Sequence, residues 1–336
     1  MVLQFACSIL LIIGAGVVYR QLSYMENKDI GYDKEYVINI SLTGDSVQRY
    51  AELKNELNQN SRIVRASGIA AGMPYFSWTT GSVDWDGKDP DREIQVSMNY
   101  IDYDFIETLD IELVDGRSFS REFVSDAAGG YLVNEAMVRL MGLESAVGAR
   151  LTYIDRPGKI IGVMKDFHFR PLDSPIGPLV FVLVPEAVKV LSIRIPPGDI
   201  PASLAVVEEI WERICPEYPF AYEFFDQVFD RRYRGIEIMG NLAGSFALVA
   251  VFIACLGLLG LVSFAAEQRT REIGIRKVLG ASVSSIMGLL SGEFLVLVAI
   301  ANVIAWPIAY LAMNRWLQYF AYHTELNWVV FIFAAV

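Results

Sequence analysis

The sequence predicts α-helical membrane spans combined with an α+β extracytoplasmic domain, and three observations carry that reading. Apolar runs at residues 2–19, 242–266 and 294–311 are each of membrane-crossing character. The stretch EQRTREIGIRKVLGAS, Glu267 to Ser282, joins the last two and is basic. Residues 21–240 hold no spanning run. A basic loop between two spans marks the cytoplasmic side, so the long interval after the first span lies outside the cytoplasm.

The first run, within residues 1–20, is just long enough for a hydrocarbon core of about 30 Å, which takes roughly 20 residues. The other reading, a signal peptide, lacks a positive n-region and a small-residue cleavage site. Met1 lies inside the apolar run with no basic flank, so the start is expected to be cut.

The interval that follows begins with a strand at residues 36–42, a helix at 46–58 and a strand at 62–70. Val47, Tyr50, Leu53 and Leu57 recur at three and four residues, and Asp45 or Ser46 is expected to cap the helix. The interval closes in the same order, with a strand at 190–195, a helix at 201–214 and a strand at 220–225. Two βαβ units separated by an insertion predict a split, ferredoxin-like layer. The inserted subdomain, about residues 94–184, is expected to be mostly β. It shows alternation at 95–101, a helix-like 134–141 and a strand at 159–169. Asp-Gly and Asp-Pro steps in residues 84–92 mark the first crossing into it. Residues 222–240 are charged and aromatic and are expected to extend the second membrane helix outward as a stalk.

Residues 241–336 form the remaining membrane part. The run at 242–266 holds no charge. The run at 294–311 contains Asn302 and Pro307, starts beside Glu293, and is lengthened by the apolar residues of 286–290. The last run, 328–336, is too short to cross and is read as a truncated span.

Composition narrows the function. The chain has 336 residues, 54% hydrophobic and 20% charged, and a net charge of -11. Nucleic acid, which is bound through clustered Lys and Arg, is not an expected partner. Of three cysteines, Cys7 and Cys255 fall in spans and Cys215 reads as a buried small hydrophobe. His168 and His323 stand apart, so no metal site is expected, and His168 reads as a partly exposed strand residue. Asp84, Asp86, Asp89 and Asp91 sit in a turn where solvation accounts for them. Trp211, Tyr218 and Phe220 fit core packing better than a groove. No GxxxxGK[ST] loop and no GxSxG elbow occurs, so neither ATPase nor other enzyme activity is expected from this chain.

The basic segment, residues 265–285, is the candidate site. It serves orientation alone, or it also docks something. Ile275, Leu279, Val283, Ile286 and Leu290 recur at four, four, three and four, leaving Arg276, Lys277, Ser284 and Ser285 elsewhere on the helix. Glu272 precedes Arg276 by four residues, the order that favours a helix. Such a helix suits either an anchor on membrane lipid or a docking element for a soluble partner.

At these residues the sequence resembles the FtsX-like permease family of ABC transporters, in particular its MacB-like branch. NKDIGYDKE after the first span, DGRSF at 115–119, LVNEA at 132–136 and IIGVMKDFHF at 160–169 resemble the MacB-type periplasmic core domain. The resemblance implies a four-span unit whose cytoplasmic segment is bound by a separate ABC ATPase, the holder of ATP and Mg. No cofactor is implied in this chain. Glu267, Arg269, Arg271, Glu272, Ile273, Gly274, Ile275, Arg276, Lys277, Gly280 and Ala281 would face that ATPase. Arg271, Glu272, Arg276 and Lys277 would make its polar contacts, and Gly274 and Gly280 would allow close approach.

The resemblance also implies a second permease unit, in the same chain or as a dimer, and the bare start reads as the second half of a longer permease. The expected location is the bacterial inner (plasma) membrane, multi-pass, with residues of about 20–240 extracytoplasmic. The expected function is ATPase-driven movement of the outer domain, for export or extraction of an amphipathic compound, peptide or lipoprotein. The alternative is a signalling or scaffold protein that regulates an envelope partner enzyme without transport.

Overall fold

Strands form where apolar residues alternate or run unbroken, as in VINIS and LVFVL, and helices where they recur at three and four. The computed structural model describes every residue except Met1, Pro74, Tyr75, Ser77, Pro90, Arg92, Arg269, Glu272, Ile273, Gly274, Arg276, Lys277, Leu279, Gly280, Ala281 and Val336. The chain divides into two units, one of residues 29–232 and one of residues 1–28 with 233–336.

In the first unit, β1 (Val37–Ser41), α2 (Tyr50–Gln59) and β2 (Arg65–Ile69) form the opening βαβ element, following α1 (Val2–Glu26) of the other unit. Tyr50, Leu53 and Leu57 of α2 are buried, as their spacing predicts. The expected cap is corrected. Residues Gly44–Val47 make a separate 3-10 turn that Ser46 closes by accepting from the Thr43 N–H at 2.8 Å. Arg49 stands at the helix start and makes no capping bond with its side chain. Ser46 Oγ also donates to the Thr43 carbonyl at 2.7 Å, so the side chain is spent on the turn rather than on α2.

The closing element is β11 (Val190–Arg194), α6 (Ile200–Ile214) and β12 (Glu223–Phe224). The strands lie in the order β12-β1-β11-β2, all antiparallel. That is the ferredoxin-like order, with α2 and α6 packed over a core of Ile38, Ile40, Leu53, Leu57, Leu191, Ile193, Val207 and Trp211. Trp211 is 2% exposed and Tyr218 and Phe220 pack against this core, while Cys215 is buried within it.

The inserted residues do not make a separate sheet. The same sheet continues as β5-β10-β7-β9-β8-β4, built from β4 (Val83–Trp85), β5 (Val96–Ile101), β7 (Gly130–Asn134), β8 (Arg150–Tyr153), β9 (Arg156–Met164) and β10 (Leu179–Leu183). β3 (Thr79–Thr80) pairs with β5, and β6 (Leu113–Gly116) with β9. β10 runs parallel to β5, and β7 to β9. Every residue of β7 and β10 is buried, the condition under which strands lose alternation and read as unbroken apolar runs. A second core, with Val96, Met98, Tyr131, Val133, Met137, Ile160, Val180 and Val182, belongs to this half.

Within the sheet, the two halves meet at a short pairing. β2 and β5 share the single register pair Ile69 and Ile101. Flanking it, the Ala70 N–H donates to the Tyr100 carbonyl at 2.8 Å and the Asp102 N–H to the Gly68 carbonyl at 3.1 Å.

β9 ends at Met164, so residues 165–169 leave the strand. His168 is therefore not a partly exposed strand residue. It is buried, and its N–H donates to the Ile30 carbonyl at 2.8 Å. Phe167 and Phe169 are buried beside it, with Phe167 stacked on Phe181 at 6.1 Å between ring centres.

The other unit holds α1, α7 (Phe225–Gln268) from residue 233 onward, α8 (Val283–Leu317) and α9 (Trp328–Ala335). Among the described residues, three helical segments are long and apolar enough to cross a membrane: Val2–Glu26, Arg234–Phe264 and Leu295–Leu317, with mean hydropathies of 2.2, 2.7 and 2.2. α7 is continuous over 44 residues, about 66 Å at 1.5 Å per residue, and takes in the segment expected as a stalk. α1 packs on α8 where Ala301, Ala305 and Ala309, four apart, face Ala6, Ile9, Ile13 and Val17. Small side chains let two backbones approach closely where lipid offers no hydrophobic drive. Gln21 of α1 is buried. It donates to the Tyr322 carbonyl at 3.0 Å and accepts from the Thr324 N–H at 2.8 Å, tying down the α8–α9 connection.

Candidate functional site

The expected coupling segment begins where α7 ends. Glu267 lies in its last turn, and its carbonyl accepts from Thr270 Oγ1 at 2.8 Å. Arg271 and Ile275 are helical and exposed, as is Val278. Ile275 is 62% and Val278 89% exposed, so the described part of the segment presents apolar surface. Arg269, Glu272, Ile273, Gly274, Arg276, Lys277, Gly280 and Ala281 lie outside the described residues.

The other motifs singled out in the sequence serve the outer unit's architecture. Asn134, the last residue of β7, caps α5 (Glu135–Met141) by accepting from the Met137 N–H at 3.1 Å. The same oxygen accepts from the Leu179 N–H at 2.8 Å, and Asn134 Nδ2 donates to the Gly177 carbonyl at 2.9 Å. Asp166 accepts from the Ala136 N–H at 2.9 Å and from Arg139, while its own N–H donates to Glu135 at 2.9 Å. LVNEA and the KDF of IIGVMKDFHF are thus one interlocked joint at the start of α5.

In NKDIGYDKE, Asp33 pairs with Arg194, whose Nε also donates to the Thr108 carbonyl at 2.7 Å. Gly31 takes φ +82°, and a Cβ there would stand 2.8 Å from Phe167 Cβ, so glycine is required. In DGRSF, Arg117 holds the fully buried Asp126 through two bonds of 2.6 and 2.8 Å. Arg117 also lies 3.9 Å from the Phe123 ring centre.

A further cluster escaped the sequence reading. Lys54 on α2 is buried, with its ammonium between Asp102 and Asp104, and Tyr50 donates to Asp102. Arg121 donates to Asp104 at 2.9 and 3.3 Å and lies 4.6 Å from the Tyr103 ring centre. Burial opposes ionisation of Asp104, but its bonds from Arg121 and Lys54 outweigh that and hold it down to about 2. Burial, reinforced by Asp102, pushes the Tyr50 phenol far up. These groups border a cleft of about 430 Å³, also lined by Val47, Ala51, Pro185 and Glu186. The available signal was Lys54 itself, four residues after Tyr50 and on the buried face of α2.

The family model described as MacB-like periplasmic core domain matches residues 5–207. The chain belongs to this MacB-like family. The model described as FtsX-like permease C-terminal matches residues 244–336, so the MacB-like chain carries both parts of an FtsX-type permease in order. It is 21% identical over 229 residues to the ABC transporter permease YknZ of Bacillus subtilis, covering 66% of this chain and 58% of YknZ. It is 24% identical over 198 residues to the macrolide export ATP-binding/permease protein MacB of Bartonella quintana, covering 54% of this chain and 29% of that protein. The chain therefore spans less than two thirds of each of these relatives. The crystal structure of the periplasmic region of MacB from Actinobacillus actinomycetemcomitans aligns with a TM-score of 0.44 at 13% identity, covering 61% of this chain and 96% of that one.

Proposed function

We propose that this MacB-like chain is the permease subunit of an ABC transporter, coupling ATP hydrolysis by a separate cytoplasmic ATPase to movement of its outer domain. The observation that carries the reading is the order of parts. A core-domain match at residues 5–207 precedes an FtsX-like match at 244–336, and the basic segment lies between two apolar helices of that second part. ATP and Mg belong to the partner, and a second permease unit completes the assembly. The chain resides in a bacterial inner membrane, with residues of about 20–240 outside the cytoplasm.

An amphipathic compound, peptide or lipoprotein is the proposed cargo class. The MacB relatives, named as macrolide export proteins, support the first of these. The groove by α1 and α7, lined by Tyr19, Leu22, Gly244 and Leu248 together with the polar Glu237 and Asn241, supports contact with an amphipathic molecule in the membrane unit. The test is co-purification of the full-length parent protein from membranes, native against Arg271→Glu with Arg276→Glu. A Walker-type ATPase that accompanies the native form and is lost with the double variant supports the coupling role. Its absence from both forms overturns it, leaving the basic segment as an orientation signal.

A further inference from the structure

Four chain segments wall the cleft of about 430 Å³ in the outer unit. Ala51, Lys54 and Asn55 come from α2, and Asp102 and Tyr103 follow directly on β5. Arg121 lies in the segment after β6, and Pro185 and Glu186 belong to the turn between β10 and β11. The volume falls within the about 300–1,000 Å³ of small-molecule sites.

Three sets of contacts fix these walls. Lys54 reaches from α2 to Asp102 and Asp104, beyond β5. The Asn99 side chain in β5 donates to the Ala71 carbonyl at 2.8 Å and accepts from the Ala71 N–H at 3.1 Å, just beyond β2. α3 (Phe105–Thr108) packs on β2 and β11, and Arg194 Nε donates to the Thr108 carbonyl at 2.7 Å. A cleft held in this way is formed before a ligand arrives, so binding requires little ordering.

The hydrogen-bond balance of its floor sets the class of ligand. Asp102 Oδ1 accepts from the Asp104 N–H at 3.1 Å, and Oδ2 from Tyr50 and Lys54. Both oxygens of Asp104 accept from Arg121, at 3.3 and 2.9 Å, and one of them also from Lys54. An ammonium carries three N–H donors and a guanidinium five, and the two carboxylates take two from each. Donors therefore remain, while every carboxylate oxygen already has a partner. The two positive and two negative charges balance, and the exposed Glu186 at the rim repels an anion. Val47, Ala51 and Pro185 supply apolar wall.

We propose that this cleft binds an uncharged amphipathic molecule, whose carbonyl oxygens accept from the remaining donors of Lys54 and Arg121 while its apolar part lies against Val47, Ala51 and Pro185. An amine would add donors where donors are already in excess, and a carboxylate would meet Glu186. The site belongs to the outer unit alone and does not depend on the coupling segment, so its failure and that of the ATPase partnership are separate results.

The test uses the full chain in lipid nanodiscs, with no ATPase present, and radiolabelled N-acetyl-leucyl-leucine amide, an uncharged dipeptide rich in carbonyl groups. Equilibrium dialysis should show saturable binding beyond that of empty nanodiscs at peptide concentrations up to about 1 mM. Ala51→Trp, which fills the cleft from an exposed position on α2, should abolish it. Asn55→Trp, also exposed and lining the cleft, should do the same and serves if Ala51→Trp fails to fold. Glu52→Trp, equally exposed on α2 but outside the cleft, should retain binding. The charged forms, leucyl-leucine amide and N-acetyl-leucyl-leucine, should bind about tenfold more weakly. Absence of saturable binding, binding that survives both tryptophans in the cleft, or equal binding of the charged forms overturns the proposal.

Discussion

Asn134 donates to Asp166 at 2.8 Å, side chain to side chain, across two stretches of sequence more than thirty residues apart. The Asn134 amide satisfies two backbone N–H groups and one carbonyl besides, at a fully buried position. Asn134→Ala should therefore destabilise the outer domain by about 3 kcal/mol or more, since the Met137 and Leu179 N–H groups lose an acceptor. Asn134→Asp should also destabilise, because it sets a second carboxylate against Asp166. Thermal unfolding followed by circular dichroism checks both; an unshifted midpoint for Asn134→Ala would contradict the assignment.

Asp104 gives stability a defined acid limb. Its folded value of about 2 lies below the usual carboxylate value of about 4, so its contribution is complete above pH 4 and disappears as pH falls through 2. Asp104→Asn should lower stability at pH 5 and flatten the decline between pH 4 and 2. Urea midpoints at pH 5, 3 and 2 measure the difference.

Gly68 sits under Tyr50. A Cβ there would stand 2.7 Å from Tyr50 Oη and would also meet Val188 Cγ1. Gly68→Ala should displace the phenol from Asp102 and cost about 1–3 kcal/mol, the usual range for overpacking. The readout is the denaturation midpoint, with Gly87→Ala excluded as a control because Gly87 takes φ +90°.

In the membrane unit, Ala305 is completely buried against α1, whereas Val303 is 74% exposed. Ala305→Leu should force α1 and α8 apart and lower the melting temperature of the detergent-solubilised chain. Val303→Leu should leave stability unchanged to within about 0.5 kcal/mol. Equal behaviour of the two variants would count against this packing.

Much of the architecture was legible because period and length are local properties. Tyr50, Leu53 and Leu57 announced α2, though Val47, read with them, belongs to the preceding turn, and the charge-free run at 242–266 announced the α7 span. The ferredoxin-like layer could be read from two βαβ elements far apart in the chain. The cap of α2 could not, because Ser46 serves equally well in a 3-10 turn, and only the winding of the backbone decides between them. His168 was misplaced because the alternation of KDFHF continues past Met164, where β9 stops. The Lys54 cluster was hidden for a different reason. Its carboxylates lie about fifty residues away, and nothing local distinguishes a lysine paired inside from one facing solvent.

The Lys189 N–H donates to the Ile69 carbonyl at 3.1 Å, and Val190 stands in register with Ile69. The chain therefore departs into the inserted half and comes back at adjacent points of one antiparallel pair. Take the insertion away and β2 and β11 would be the arms of an ordinary hairpin. All four strands of the ferredoxin-like layer come from outside the insertion, yet the layer leans on its guest, because the buried Lys54 ammonium of α2 finds its counter-charges only in Asp102 and Asp104.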